Sequence, residues 1–474
     1  MSSIQYDPSS LRAMATAHDQ GHLFAFFDEL PAAGREKLLK QVATLEFSVL
    51  DRLIAQFVRG PGQMAEGGKI EPAAVITIPA TESEKKAEQT AREAGEAALR
   101  AGRVGCFLVA GGQGTRLGIE GPKGAFEIGP VTKRTLFQLH AEKILALRRR
   151  YKAPIPWLIM TSDANDEQTR AFFAERHCFN LGAETMRIFK QANMPAVDRE
   201  GRILLQAKDE LALSPNGHGG SIKALYDSGT LHWLQGQRVD TLSYFQVDNV
   251  LVKIGDPVFI GHHVLAGSQI STKVCRKRGW QEKVGLLCRR SGRLCVIEYS
   301  DLPERMAQET DAHGGLKWWA GSIAIHILDV GFIGRLNQGG FQLPYHKAEK
   351  AVACIGPEGK PVGLKPGEKN AVKFETFIFD ALPCAERAMV METPRQEDFS
   401  PLKNAKGEDS PETARRDLME LYARWLAAAG RKVPRKDDGA LNCRLEISPL
   451  TSLYGEELEG KAPKEIEASQ DVTL

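Results

Sequence analysis

Between residues 10 and 59 apolar side chains recur every three to four positions, first in "LFAFFDEL" and then in "REKLLKQVATLEFSVLDRLIAQF". That spacing predicts helices, interrupted at "PAAG". A Gly/Pro-rich stretch follows, "GPGQMAEGGKIEPAAVITIPA", which predicts a linker or extended arm, and then a further helical pattern, "SEKKAEQTAREAGEAALRAG". From residue 103 the grain changes. Short apolar runs ("VGCFLVA", "PWLIMTS", "MRIFKQ", "TLSYFQVDN", "GSIAIHIL") read as strands, and the earlier ones are separated by helical patterns such as "TLFQLHAEKILALRRR". In that helix Leu136, Leu139, Lys143, Ile144 and Leu147 share one mostly apolar face. Alternation of this kind predicts an α/β fold with a largely parallel sheet between helices. Its active loops belong at the C-terminal ends of the strands.

From residue 272 to 298, "STKVCRKRG", "KVGLLCRR" and "RLCVIEY" succeed one another as an antiparallel hairpin region. Beyond residue 394 a polar stretch leads to the helical "LMELYARWLAAAG", then to "CRLEISPLTSLYGEELEG" with the alternation of short strands, and to an acidic end expected to fray. The pattern divides the chain into a helical N-terminal domain (1–100), a central α/β domain (101–393) and a small C-terminal domain (394–474).

Composition narrows the function classes. A chain of 474 residues exceeds one ordinary core, consistent with several domains. The 62 basic and 60 acidic residues nearly cancel, which argues against a nucleic-acid binder. The basic triplet at 148–150 closes a helical pattern, where cations suit the helix dipole. No run approaches the ~18 apolar residues of a membrane helix. The N-terminus lacks the basic-then-apolar layout of a secretory signal. The eight cysteines include no C-x-x-C, and the nearest pair, Cys288 and Cys295, has no histidines to complete a zinc set. Cys106 reads as a small core residue, and a cytoplasmic protein with reduced thiols is expected.

The chemistry concentrates in "CFLVAGGQGTRLGIEGPKGAFEIG", residues 106–129. The spacing is not the dinucleotide fingerprint, because Leu117 stands where a third glycine is needed, and no G-K-[ST] of a Walker loop follows. A strand leading into Gly111, Gly112 and Gly114 nevertheless exposes a row of N–H donors suited to phosphate oxygens or a base edge. Glycine can also serve only the dihedrals of a tight turn. Arg116 and Lys123, which flank the turn with a guanidinium fork and a point charge, favour the anion-binding reading.

This loop resembles the nucleotide loop of the UDP-sugar pyrophosphorylases, especially the eukaryotic-type UDP-N-acetylglucosamine pyrophosphorylases. The resemblance extends in order through "FKQANMPAVDREGRILL", "SPNGHGGSIKAL", "VDNVLVKIGDPVFIG", "VIEYSDL", "KFETFIFD", "EDFSPLKNA" and "LEISPL", covering about residues 100–450. It implies a Rossmann-like nucleotidyltransferase core with a mixed, mostly parallel sheet, a helical N-terminal region and a small C-terminal domain. The implied reaction joins UTP to a hexose 1-phosphate and releases pyrophosphate, with Mg²⁺. By the same resemblance Asp248 holds the metal, Arg116 and Lys123 contact the triphosphate, and Lys373 and Lys403 face the sugar phosphate and pyrophosphate. Gly112, Gln191 and Gly217 match positions near uracil. The residues suit that chemistry. Joining two anions needs positioning and neutralised charge more than covalent help. A carboxylate at a strand end suits Mg²⁺, and an amide can both donate to and accept from a pyrimidine edge.

Two positions depart from the N-acetylglucosamine branch. His218 and Ser322 stand where it commonly carries sugar-facing asparagines, while Glu298 keeps the carboxylate that contacts sugar hydroxyls; Asn216 replaces a usual aspartate. An unpaired buried polar group costs about 1–3 kcal/mol, enough to shift sugar preference tenfold. N-acetylglucosamine 1-phosphate is the expected acceptor, with glucose 1-phosphate or a broad hexose range as alternatives. A non-catalytic sugar-nucleotide-binding regulator would have lost a cation or the metal carboxylate, and all of these residues are retained.

Overall fold

The computed structural model describes residues 6–60 and 67–474. Positions 61–66 of the expected linker lie outside the described residues. The chain forms two compact units. The first comprises Met1–Gly68, Ala192–Gly220 and Leu343–Ile378, and the second Lys69–Gln191, Ser221–Gln342 and Phe379–Leu474.

The second unit is built on a ten-stranded sheet. Its strands are β1 (Ile70–Pro72), β2 (Val104–Val109), β3 (Trp157–Thr161), β4 (Met186–Lys190), β5 (Thr241–Gln246), β6 (Ile270–Arg276), β7 (Leu286–Arg290), β8 (Arg293–Ile297), β9 (Ala320–Asp329) and β10 (Ala388–Glu392). The order along the sheet is β1-β7-β9-β5-β2-β3-β4, with β6 joining β9 to β10 and β8 flanking β7. β5, β2, β3 and β4 run parallel to one another, as do β6 and β10. β3 is buried at every position, and β2 and β5 at all but their last residue, as expected of strands covered on both faces. β9, the strand expected from "GSIAIHIL", lies antiparallel to β5, and β7 and β8 form the expected hairpin.

The helices of this unit carry clear end signals. Thr81 and Glu84 make a capping box ahead of Glu82–Arg100, Thr135 caps Leu136–Tyr151, and Ser410 caps Pro411–Ala428. Glu82–Arg100 crosses Pro257–Leu265 at two glycines. A Cβ on Gly95 would collide with the Pro257 carbonyl, and one on Gly261 with that of Ala91. The helix therefore belongs with the sheet rather than with the N-terminal helices. The acidic C-terminus does not fray: Asp471–Thr473 pairs in parallel with Arg444–Glu446 and buries Val472. Cys106 is fully buried, as expected.

The first unit gathers three separated stretches because its helices need an apolar face to cover. Leu23, Phe24, Leu38 and Phe47 pack with Val197, Ile203 and Phe374 in one core. The buried amide of Gln20 adds a polar pin, donating to the Gly201 carbonyl at 3.0 Å and accepting from the Ile203 N–H at 2.8 Å. Strand His346–Lys350 pairs antiparallel with Ala371–Glu375.

Candidate active site

In the second unit the glycine turn leaves the C-terminal end of β2, as its sequence predicts. Its carbonyls are committed to the protein. Asn165 Nδ2 donates to the carbonyls of Ala110 (2.8 Å) and Gly112 (3.1 Å), Ser162 Oγ to that of Gly111 (2.8 Å), and the Lys123 N–H to that of Gly112 (3.1 Å). The Gly114 N–H donates to the Gly121 carbonyl at 2.9 Å, and Gly121 sits at φ 112°, which only glycine adopts readily. With the carbonyls turned inward, the N–H groups of 111–113 remain for an anion or a base edge. Ser162 and Asn165 were not singled out in the sequence. Their signal is a polar cluster, "TSDAN", at the end of the strand beside β2.

Gln191, the residue after β4, lies against this turn, and a Cβ on Gly111 would come within 3.2 Å of its Nε2. The side chain is buried, at 7 % exposure, and its Oε1 has no hydrogen-bond partner among the described residues. A buried acceptor of this kind costs free energy unless something donates to it. The imide N–H of a uracil is such a donor.

Asp248 follows β5 and is closer to the core than a loop-end residue need be, at 9 % exposure. Its Oδ2 accepts from Lys123 Nζ at 3.0 Å. The structure thus joins the cation of the "PKG" turn to the carboxylate of "VDN". Lys403 is exposed, 3.8 Å from Asp409 and over the Phe399 ring. Its neighbour Leu402 donates its N–H to the Asp248 carbonyl at 3.0 Å, so the two motifs adjoin. Arg116 is exposed on the short helix Thr115–Leu117.

Glu298 and Ser322 are brought together at Gly285. The Ser322 N–H donates to the Gly285 carbonyl at 2.8 Å, and a Cβ on Gly285 would stand 3.5 Å from Glu298 Oε1.

The first unit holds the remaining predicted residues. Gly217 has φ 84°, and a Cβ there would collide with the Thr376 carbonyl. His218 Nδ1 accepts from the Ile378 N–H at 3.1 Å, and its ring packs against Phe377, on which His346 also packs. Burial, with His346 adding, pushes the His218 pKa down to about 4, so the ring is neutral and carries its proton on Nε2. Lys373 lies on Ala371–Glu375, half-buried beside the inward Phe374; burial lowers its pKa, with Glu375 opposing.

Among the described residues no set of three or more His, Cys, Asp or Glu is arranged to hold a metal. Mg²⁺ in phosphate chemistry needs no such set: it takes one or two carboxylates and otherwise phosphate oxygens and water. The partly buried Asp248 carboxylate beside a lysine fits that mode. No described helix is long and apolar enough to cross a membrane.

Known proteins match this arrangement over most of its length. "UDP-N-acetylhexosamine pyrophosphorylase-like protein 1" of Xenopus tropicalis is 36% identical over 95% of this chain and 93% of its own. "UDP-N-acetylglucosamine pyrophosphorylase" of Saccharomyces cerevisiae is 37% identical over 83% of each. Among solved structures, the uridine diphosphate N-acetylglucosamine pyrophosphorylase of Trypanosoma brucei superposes with a TM-score of 0.82, at 26% identity over 98% of this chain and 99% of that one. The family model described as UTP–glucose-1-phosphate uridylyltransferase matches residues 52–409, and the chain belongs to that family of nucleotidyltransferases.

Proposed function

We propose that this protein transfers the uridylyl group of UTP to a hexose 1-phosphate. An oxygen of the sugar phosphate attacks the α-phosphorus, the bond from that phosphorus to the β-phosphate bridge breaks, and pyrophosphate leaves. The observation that carries the reading is the 3.0 Å pair between Lys123 Nζ and Asp248 Oδ2, which sets a cation beside a carboxylate of the kind Mg²⁺ takes, next to the glycine turn.

The work of such a site is positioning and neutralisation of charge. The N–H groups of 111–113 and the orphaned Gln191 Oε1 would orient the nucleotide, the latter by accepting from uracil. Lys123 and Arg116 would offset the triphosphate charge, and Lys403, beside the Asp248 segment, the charge on the leaving pyrophosphate. Lys373 is assigned to the sugar phosphate by its motif; its lowered pKa accords with a partly dehydrated ammonium poised for an anion. Mg²⁺ would be held by Asp248 and would supply charge stabilisation on the phosphate oxygens.

The acceptor is N-acetylglucosamine 1-phosphate, supported by the relatives whose names specify that sugar. Ser322 and His218 offer fewer amide groups than the asparagines expected there. We infer that glucose 1-phosphate is also used, within a thousandfold of the acetylated sugar. A cytosolic setting accords with eight cysteines, none in a disulfide. A pyrophosphate-release screen crossing UTP, TTP and ATP with several hexose 1-phosphates tests the assignment. Release only with UTP and a hexose 1-phosphate is expected; release with ATP alone, or with none, would refute it.

A further inference from the structure

Two segments of the second unit carry proposed reactive groups: 247–254, with Asp248, and 399–404, with Lys403. They are stitched side by side. Asn249 Nδ2 donates to the Asp398 carbonyl at 2.7 Å, Asn249 Oδ1 accepts from the Ser400 N–H at 3.0 Å, and the Val250 N–H donates to the Ser400 carbonyl at 3.2 Å. The Leu402 N–H closes the seam on the Asp248 carbonyl.

Beneath the seam lies an ion triad. Asp398 and Lys273 have fully buried side chains and are in direct contact, Asp398 Oδ2 with Lys273 Nζ. Lys273 also donates to Asp256 Oδ2 at 2.7 Å, and Thr393 Oγ1 to Asp398 Oδ2 at 3.0 Å. The second oxygen of Asp398 accepts from the Lys253 N–H at 2.8 Å, so one carboxylate binds both the sheet, through Lys273 on β6, and the far end of the Asp248 segment. Lys143 closes the other side, donating to the carbonyls of Val250 and Val252, each at 2.9 Å.

A buried ion pair is a poor way to gain stability, since apolar residues of similar volume often do as well. What it supplies is a fixed geometry. We propose that Lys273 and Asp398 are positioning residues, a buried strut that anchors the Asp248 and Lys403 segments to the sheet and sets their spacing for the reaction. This rests on the roles assigned to Asp248 and Lys403 above.

Two variants test it, Lys273→Met, which removes the strut, and Lys273→Gln combined with Asp398→Asn, which replaces the charges by a neutral hydrogen-bonded pair. Amide hydrogen exchange is followed at 247–254, at 399–404 and in β3 as a control, alongside kcat and KM for UTP. In Lys273→Met both segments are expected to exchange at least tenfold faster with β3 unchanged. kcat should fall ten- to hundredfold and KM for UTP change less than threefold. The double variant should recover kcat to within threefold of the wild type. Unchanged exchange in both segments would overturn the proposal, as would faster exchange spread equally into β3. If Lys273→Met fails to fold, the double variant decides: wild-type exchange in the two segments supports the strut, and loosened segments with β3 unchanged contradict the geometric account. A wild-type protein that releases no pyrophosphate would sink the uridylyltransferase reading alone, because the exchange measurements judge the strut without substrate.

Discussion

Lys123 and Asp248 are separated by 125 positions in the sequence, yet the ammonium of one lies 3.0 Å from the carboxylate of the other. Each side chain is largely shielded from water, at 16% and 12% exposure. Each would therefore act on a nearby phosphate charge with less screening than a surface group would.

Removing Lys123 should abolish catalysis more than structure. Lys123→Ala is expected to lower kcat/KM at least a hundredfold, the scale of losing one transition-state contact. The fold should persist, because the residue closes a turn rather than filling the core. Asp248→Asn should behave alike. Turnover near wild type in either variant, with circular dichroism showing a folded chain, would contradict the assigned roles.

Gln191 should govern base recognition. Gln191→Leu keeps the side chain's bulk beside Gly111 and removes the orphaned acceptor. Leaving a uracil N–H unpaired costs about 1–3 kcal/mol, so KM for UTP should rise roughly ten- to hundredfold while stability is retained or improved. Equal KM values for the variant and the wild type would remove Gln191 from the base site.

Ser322 should tune the sugar. Its N–H bonds the Gly285 carbonyl beside Glu298, and that backbone contact survives substitution. Ser322→Asn is expected to raise the preference for N-acetylglucosamine 1-phosphate over glucose 1-phosphate by about tenfold, the worth of one added polar pairing. The ratio of the two kcat/KM values checks it.

Stability should decline on mild acidification. Burial pushes His140 down to about 3, with Lys143 adding, and His263 down to about 4, with Asp240 opposing; His218 also sits at about 4. His140 donates from Nε2 to the Val247 carbonyl, and its Nδ1 has no partner among the described residues. All three pKa values lie below the unfolded value of ~6.5, so the unfolded chain binds protons that the folded chain refuses. Their stabilisation is complete above pH ~6.5 and is lost as pH falls toward 4. Urea midpoints should stay level between pH 8 and 7 and drop between 6 and 5, before most carboxylates titrate. His140→Gln should flatten that drop.

Much of the candidate site is legible in the chain because its parts are local. A strand, a glycine turn and a following cation are contiguous, and residue 248 ends an apolar run. What escaped was direction and distance. Periodicity shows that "GSIAIHIL" is a strand but not that it runs antiparallel to β5. Nothing local shows that Phe374 and Val197 finish the core begun by Leu38. Ser162 and Asn165 matter only because β3 lies beside β2, which places their side chains under the glycine turn. The acidic tail looks free in the sequence because its buried anchors, Ile466 and Val472, are isolated apolar residues in a polar stretch.

The central claim is that the turn after β2 cradles UTP, and a crystal structure of the protein soaked with UTP and Mg²⁺ tests it most directly. The account predicts triphosphate density against the N–H groups of 111–113, uracil within hydrogen-bond reach of Gln191 Oε1, and Lys123 turned toward phosphate. Nucleotide bound elsewhere, with residues 111–123 making no contact to it, would contradict the account.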